Sequence, residues 1–149
     1  MTRARDLADS ADKDITGTLT LDGLTVAGNV SVDSGTVKLD GNYPDGSNNV
    51  ALGDTALDSL DGSSPGGSNV AIGSGALTAN TTGSNNTALG YQSLKANTTG
   101  QNNSVIGYQA AYTNTTGASN AVLGHSALYS NTIGTNNVAI GRQALYTNT

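Results

Sequence analysis

The sequence predicts an all-β protein: an N-terminal arm and a β-stalk, then a parallel β-roll, or β-solenoid, of coils about 17 residues long, assembled as a homotrimer. Three observations point there. Gly and Asn recur at a seventeen-residue interval. Each interval carries one short β-prone run bounded by turn formers. Each also carries too little apolar bulk to close a core within a single chain.

Residues 1–14 are the first element. They mix both charge signs, show weak helical spacing at Ala4, Leu7, Ala8 and Ala11, and read as an anchoring arm. They lack the apolar core of a signal peptide, and no stretch of the chain approaches the ~20 apolar residues of a membrane helix. Residues 15–41 are the stalk. Leu19/Leu21, Leu24/Val26, Val30/Val32 and Val37/Leu39 alternate with polar residues, with Gly at the breaks, the pattern of short half-buried strands.

Residues 42–149 are the repeat region. Gly73, Gly90, Gly107, Gly124 and Gly141 stand seventeen residues apart, as do Gly66, Gly83, Gly100, Gly117 and Gly134. Asn69, Asn86, Asn103, Asn120 and Asn137 keep the same step, and so do Asn80, Asn97, Asn114, Asn131 and Asn148. An earlier copy, Gly46-Ser47-Asn48-Asn49-Val50-Ala51-Leu52-Gly53, is offset by twenty. The three extra residues fall between Asp58 and Gly67, where Pro65 marks a longer loop.

Within one repeat, Asn69-Val70-Ala71-Ile72-Gly73 is too short for a helix and reads as a strand. Residues 70 and 72 share one face and residue 71 points to the other; both faces are apolar. A second apolar pair follows at Ala76-Leu77, Ser93-Leu94, Ala127-Leu128 and Ala144-Leu145, and is expected to form a second short strand. The remainder, such as Asn80-Thr81-Thr82-Gly83-Ser84-Asn85, is turn chemistry. One repeat is then one coil, with its two strands about 10 Å apart. Coils stacked in parallel at about 4.8 Å place identical residues above one another, so that six make a rod about 29 Å long. Asn69, Asn86, Asn103, Asn120 and Asn137 become a hydrogen-bonded ladder, and Gly73, Gly90, Gly107, Gly124 and Gly141 its corners.

Two large aliphatics per coil, each worth about 1.5–3 kcal/mol when buried, stand against about 1–2 kcal/mol of backbone entropy for every ordered residue. The spare apolar face of the strand therefore needs cover, and the simplest cover is the same face of sister chains around an axis. This is the ground for the homotrimer.

Composition removes several function classes. With no Cys there is no disulfide framework and no Cys-ligated metal site. All eleven acids are Asp, at or before Asp61; beyond it the only formal charges are Lys95 and Arg142. No basic patch supports nucleic-acid binding. His125, the only histidine, shares its repeat position with Asp54, Ser74, Tyr91, Tyr108 and Arg142, which marks that position as solvent-facing. No acid inside the repeats could orient it in a Ser–His–Asp arrangement. Paired carboxylates could come only from Asp54, Asp58 and Asp61, read as solvation. Tyr91, Tyr108, Tyr112, Tyr129 and Tyr146 suit surface or inter-subunit packing better than sugar stacking. Triplets such as Asn80-Thr81-Thr82 match glycosylation acceptors but read as ladder and turn residues. The expectation is a protein with no catalytic residues, no metal and no cofactor.

Units such as Ser68-Asn69-Val70-Ala71-Ile72-Gly73 resemble the head repeats of YadA-like trimeric adhesins. The seventeen-residue form with Asn-Thr-Thr-Gly linkers, as in Gly90-Tyr91-Gln92-Ser93-Leu94-Lys95-Ala96-Asn97-Thr98-Thr99-Gly100, is more similar to repeats of bacteriophage tail-fibre proteins. The start, Arg3-Ala4-Arg5-Asp6-Leu7-Ala8-Asp9-Ser10, is similar to N-terminal segments of phage fibre-like proteins. The resemblance implies a trimer of left-handed parallel rolls on the outside of a virion, made in the host cytoplasm. It implies attachment to other virion proteins through Arg3, Arg5, Asp6 and Leu7, and a shaft serving adhesion to a host-surface glycan or protein receptor, without membrane insertion. The chain stops at Thr149 in mid-repeat, so a longer polypeptide with a distal tip is expected. The alternatives are a bacterial surface adhesin fragment and an ice-binding solenoid. The latter is suggested by Thr113-Asn114-Thr115 and Thr147-Asn148-Thr149, but it needs a flat Thr array that the variable loops do not supply.

Overall fold

A computed structural model describes residues 48–60 and 66–148 of the chain. The arm at 1–14, the stalk at 15–41 and the attachment residues Arg3, Arg5, Asp6 and Leu7 lie outside the described residues.

Among the described residues six three-residue strands follow one another: β1 (Val50–Leu52), β2 (Val70–Ile72), β3 (Thr87–Leu89), β4 (Ser104–Ile106), β5 (Ala121–Leu123) and β6 (Val138–Ile140). They form one parallel sheet in the order β1-β2-β3-β4-β5-β6. Each residue pairs with its equivalent in the next repeat, as in Val70↔Thr87, Ala71↔Ala88 and Ile72↔Leu89. The described residues thus form a parallel β-solenoid whose coil is the seventeen-residue repeat, with a step of twenty between β1 and β2. The longer step leaves the register intact, with Val50, Ala51 and Leu52 paired to Val70, Ala71 and Ile72.

Two punctuation marks keep each strand short. A left-handed residue stands two places before it: Asn48, Ser68, Asn85, Asn102, Ser119 or Asn136, with φ between 57° and 64°. Asn tolerates this region better than most residues. After the strand comes a Gly. At Gly90 φ is +134°, and a Cβ there would lie 2.5 Å from the Gly107 carbonyl oxygen of the next coil. No other residue fits. The same amide donates back to Ile72 O at 2.8 Å, so the corner is a bonded joint between coils.

The expected second strand does not form. Residues around Ala76-Leu77 and Ser93-Leu94 are turns, with Gln92 at φ 53° and Leu94 at φ 49°. Extended backbone cannot close a coil this small; left-handed residues alternating with ordinary ones bend the path. They still leave amides and carbonyls aimed along the stack: Leu94 N donates to Ala110 O at 3.0 Å, and Ala96 N to Tyr112 O at 3.1 Å. The coil is one short flat side closed by a bonded arc, in place of two facing strands.

The arc also explains why a leucine accepts a costly backbone. A left-handed conformation costs roughly 1–2 kcal/mol for an L-residue, while full burial of Leu contributes about 1.5–3 kcal/mol. Leu57, Leu77, Leu94 and Leu128 are fully buried. They pack in one cluster with the inward middle residues of the strands, Ala71, Ala88, Val105, Val122 and Ala139. In the fourth coil Val105 replaces the strand Ala and Ala111 replaces the arc Leu, which shifts bulk from arc to strand. Leu94→Ala is expected to cost about 2–5 kcal/mol, read as a lowered urea midpoint. An unchanged midpoint would remove the Leu column from the core.

Candidate functional site: the ladders and outer face of the roll

Inside each coil from the second onward two asparagines meet; the first has Leu60 in place of the second asparagine. Asn86 Oδ1 accepts from both the backbone N (3.0 Å) and Nδ2 (3.0 Å) of Asn103, one coil on. Asn103 Oδ1 serves Asn120 in the same way, at 3.1 and 3.0 Å. Asn49, Asn69, Asn86, Asn103 and Asn120 are buried; Asn137 ends this ladder, half-buried. The second series forms its own ladder: Asn97 Nδ2 donates to Asn80 Oδ1 at 2.9 Å, and Asn114 Nδ2 to Asn97 Oδ1 at 3.0 Å. The ladder half of the reading of Asn80 and its equivalents as ladder and turn residues holds, and Asn80, Asn97, Asn114 and Asn131 are as buried as the first series. Both ladders converge on one acceptor per coil. Gly100 O receives Asn86 Nδ2 at 2.8 Å and Asn97 Nδ2 at 3.1 Å, and Gly117 O receives Asn103 and Asn114 likewise.

This pinching explains the Gly66 series, since a Cβ at Gly100 or Gly117 would strike Asn97 Oδ1 or Asn114 Oδ1. It also takes the Asn-Thr-Thr triplets away from glycosylation, because Asn80, Asn97 and Asn114 are fully buried. Buried amides are costly unless paired, and here nearly every one is. Asn131 Oδ1 is the one buried side-chain polar atom among the described residues without a partner.

The outer face of the sheet is the opposite case. The register aligns Leu52, Ile72, Leu89, Ile106, Leu123 and Ile140 in one unbroken aliphatic column. Leu52, Leu89, Ile106 and Leu123 are 41–49% exposed although each has coil neighbours. Their outward sides are therefore bare. The parallel column, Val50, Val70, Thr87, Ser104, Ala121 and Val138, is smaller and more polar, so the large aliphatics stand as a ridge along the roll. The result is a contiguous exposed apolar strip along the sheet.

Two aromatic columns run along the arc. Tyr91 stacks on Tyr108 with centroids 5.3 Å apart, and Tyr108 on His125 at 4.9 Å. Tyr112 stacks on Tyr129, and Tyr129 on Tyr146, each at 5.1 Å with planes within 9°. Lys95 Nζ lies 5.3 Å above the Tyr112 ring and 3.3 Å from its hydroxyl. The seventeen-residue steps between these tyrosines, the same as those of the Gly and Asn series, carry this signal in the sequence. A sugar that stacks on tyrosine needs a free ring face. Both faces of Tyr108 and of Tyr129 are taken by their neighbours.

Catalytic arrangements find no support among the described residues. His125 is exposed, as its permissive position implied. Ser126 Oγ lies 3.0 Å from its Nδ1, a contact between sequence neighbours. The described acids, Asp54 and Asp58, belong to the first coil. Asp54 shares the His125 column four coils away, about 19 Å at the usual strand spacing, too far to orient the imidazole. No group of three or more metal-ligating His, Cys, Asp or Glu side chains occurs among the described residues, and no described helix is long and apolar enough to cross a membrane. The Thr113 and Thr115 hydroxyls donate into the next coil, to Tyr129 O at 2.7 Å and Thr132 O at 3.0 Å, so neither offers a free hydroxyl donor for an ice lattice. In comparison with known proteins, no family model matches the chain, and neither does any curated protein or solved structure.

Proposed function

We propose that this chain forms the shaft of a homotrimeric fibre on the exterior of a virion, with a mechanical role and no catalytic one. The N-terminal region, including Arg3, Arg5, Asp6 and Leu7, attaches it to other virion proteins, and the roll projects an adhesive surface toward the host. The observation that carries the reading is the bare aliphatic column Leu52-Ile72-Leu89-Ile106-Leu123-Ile140 on an otherwise bonded rod. Covering the exposed half of each side chain contributes on the order of 1 kcal/mol, and identical chains supply identical, in-register columns. The number three and the virion follow from the resemblance of the repeats and of the N-terminal segment to phage fibre proteins. A rigid rod bearing three copies of any surface also gives the multivalent contact that adhesion exploits.

Two experiments separate the parts. Leu89→Asp combined with Ile106→Asp is expected to yield a folded monomer, because the charges sit on the outer face and burying them between chains is prohibitive. The readout is sedimentation alongside circular dichroism, and a double variant that remains associated rejects this face. For location, gold-labelled antibody against the roll is expected to decorate the outside of purified particles. Particles that contain no copy of the chain would end the virion reading and leave the assembly question standing.

A further inference from the structure

The chain has neither Cys nor Trp and a single Met, so its six tyrosines are the side chains that a one-electron oxidant finds. Tyr43 lies outside the described residues; the other five fall in the two aromatic columns. Tyr91, Tyr108 and Tyr146 are exposed and Tyr112 and Tyr129 half-buried, so each phenol column has an edge open to an oxidant. Because parallel register repeats every coil, the ring spacing is set by the backbone and does not depend on a chance encounter.

We propose that the Tyr112–Tyr129–Tyr146 column, with the Tyr91–Tyr108 pair, is an oxidative cross-linking site, at which neighbouring coils of one chain are joined through dityrosine. Each of two stacked phenols loses one electron and one proton to give a phenoxyl radical. The two radicals pair by forming a carbon–carbon bond between ring positions ortho to the oxygens. Each ortho hydrogen then leaves as a proton while an oxygen regains one, which restores both phenols. The net loss is two hydrogen atoms per link; hydrogen peroxide, acting through a peroxidase, takes up the two electrons and two protons and becomes two waters.

Holding the reacting rings on adjacent coils makes coupling effectively unimolecular, which favours it over encounters between molecules. His125 and Lys95 take the remaining stacking positions and cannot form this bond, so the links are confined to 91–108, 112–129 and 129–146. Every such link ties residues seventeen apart and restricts the unfolded chain, as any cross-link does. The inference rests on the roll alone and not on its assembly.

The test treats the full chain, carrying Tyr43→Phe to leave only the column tyrosines, with a peroxidase and hydrogen peroxide. Expected is a mass lower by two hydrogens per link at single-chain mobility on a denaturing gel, with peptide mapping joining 112 to 129 or 129 to 146. Adding Tyr129→Phe keeps a ring in the stack but removes the middle phenol; all links in that column should vanish while 91–108 persists. Links found only between separate chains would overturn the proposal. So would a 112–146 link at undiminished yield in the Tyr129→Phe protein, or the same links at the same yield in chain unfolded by urea.

Discussion

Gly107→Ala is expected to destroy the cooperative fold of the central coils, at a cost of more than about 4 kcal/mol. Two effects combine. The residue has φ +140°, outside the regions open to L-residues, which by itself costs of order 1–3 kcal/mol. The new methyl would also overlap the Gly124 carbonyl oxygen and lie 2.7 Å from its carbon. Those atoms cannot yield locally, because Gly124 N is held to Ile106 O at 2.9 Å and β4 is paired to β5. The internal control is Gly141→Ala. There φ is +118°, but a Cβ meets nothing within 4 Å, so only the conformational part of the penalty applies. Thermal melts followed by circular dichroism should show a far larger loss at 107 than at 141. Equal losses would mean that contact between coils does not fix glycine at the corner.

Asn103→Leu, which keeps the branched skeleton but not the polar atoms, is expected to cost about 2–4 kcal/mol. Several partners of Asn103 have alternatives: Gly117 O keeps Asn114 Nδ2, Asn86 Oδ1 keeps the Asn103 amide, and Asn120 Nδ2 keeps Gly134 O. The Asn120 amide has none, since its acceptor is Asn103 Oδ1 at 3.1 Å, and a buried amide without an acceptor carries the full desolvation penalty. Asn103→Asp retains that acceptor but places a carboxylate against Asn86 Oδ1. Burial penalises its ionised form and raises its pKa in the fold above the unfolded value. That variant should therefore lose stability as the pH rises through the carboxylate range and regain it as the pH falls. Urea midpoints across pH check both statements. A pH-independent Asn103→Asp protein would show that the ladder position is wet.

These two residues also show what could be read in advance. The period, the parallel stack, the register and the Asn69 ladder follow from spacing alone, because a solenoid converts sequence distance directly into position along its axis. The exposed His125 and the twenty-residue step from β1 to β2 followed for the same reason. The arc did not. Ala76-Leu77 and Ser93-Leu94 look like strand fragments, and nothing in composition signals that leucine will occupy a left-handed conformation; the burial that offsets it exists only once the coil has closed. The burial of Asn80, Asn97 and Asn114 was hidden similarly, because Asn-Thr-Thr-Gly is indistinguishable from a surface turn until Gly83 O, Gly100 O and Gly117 O are seen to draw the amides inward. The tyrosine columns were available from their spacing, which is the same as that of the glycines.

The mass of the intact chain in dilute solution bears most directly on whether sister copies hide the ridge running from Leu52 to Ile140. Sedimentation equilibrium is predicted to return three chains of 14.8 kDa each, unchanged on tenfold dilution. A single well-folded 14.8 kDa species, with its aliphatic ridge facing water, would contradict the account.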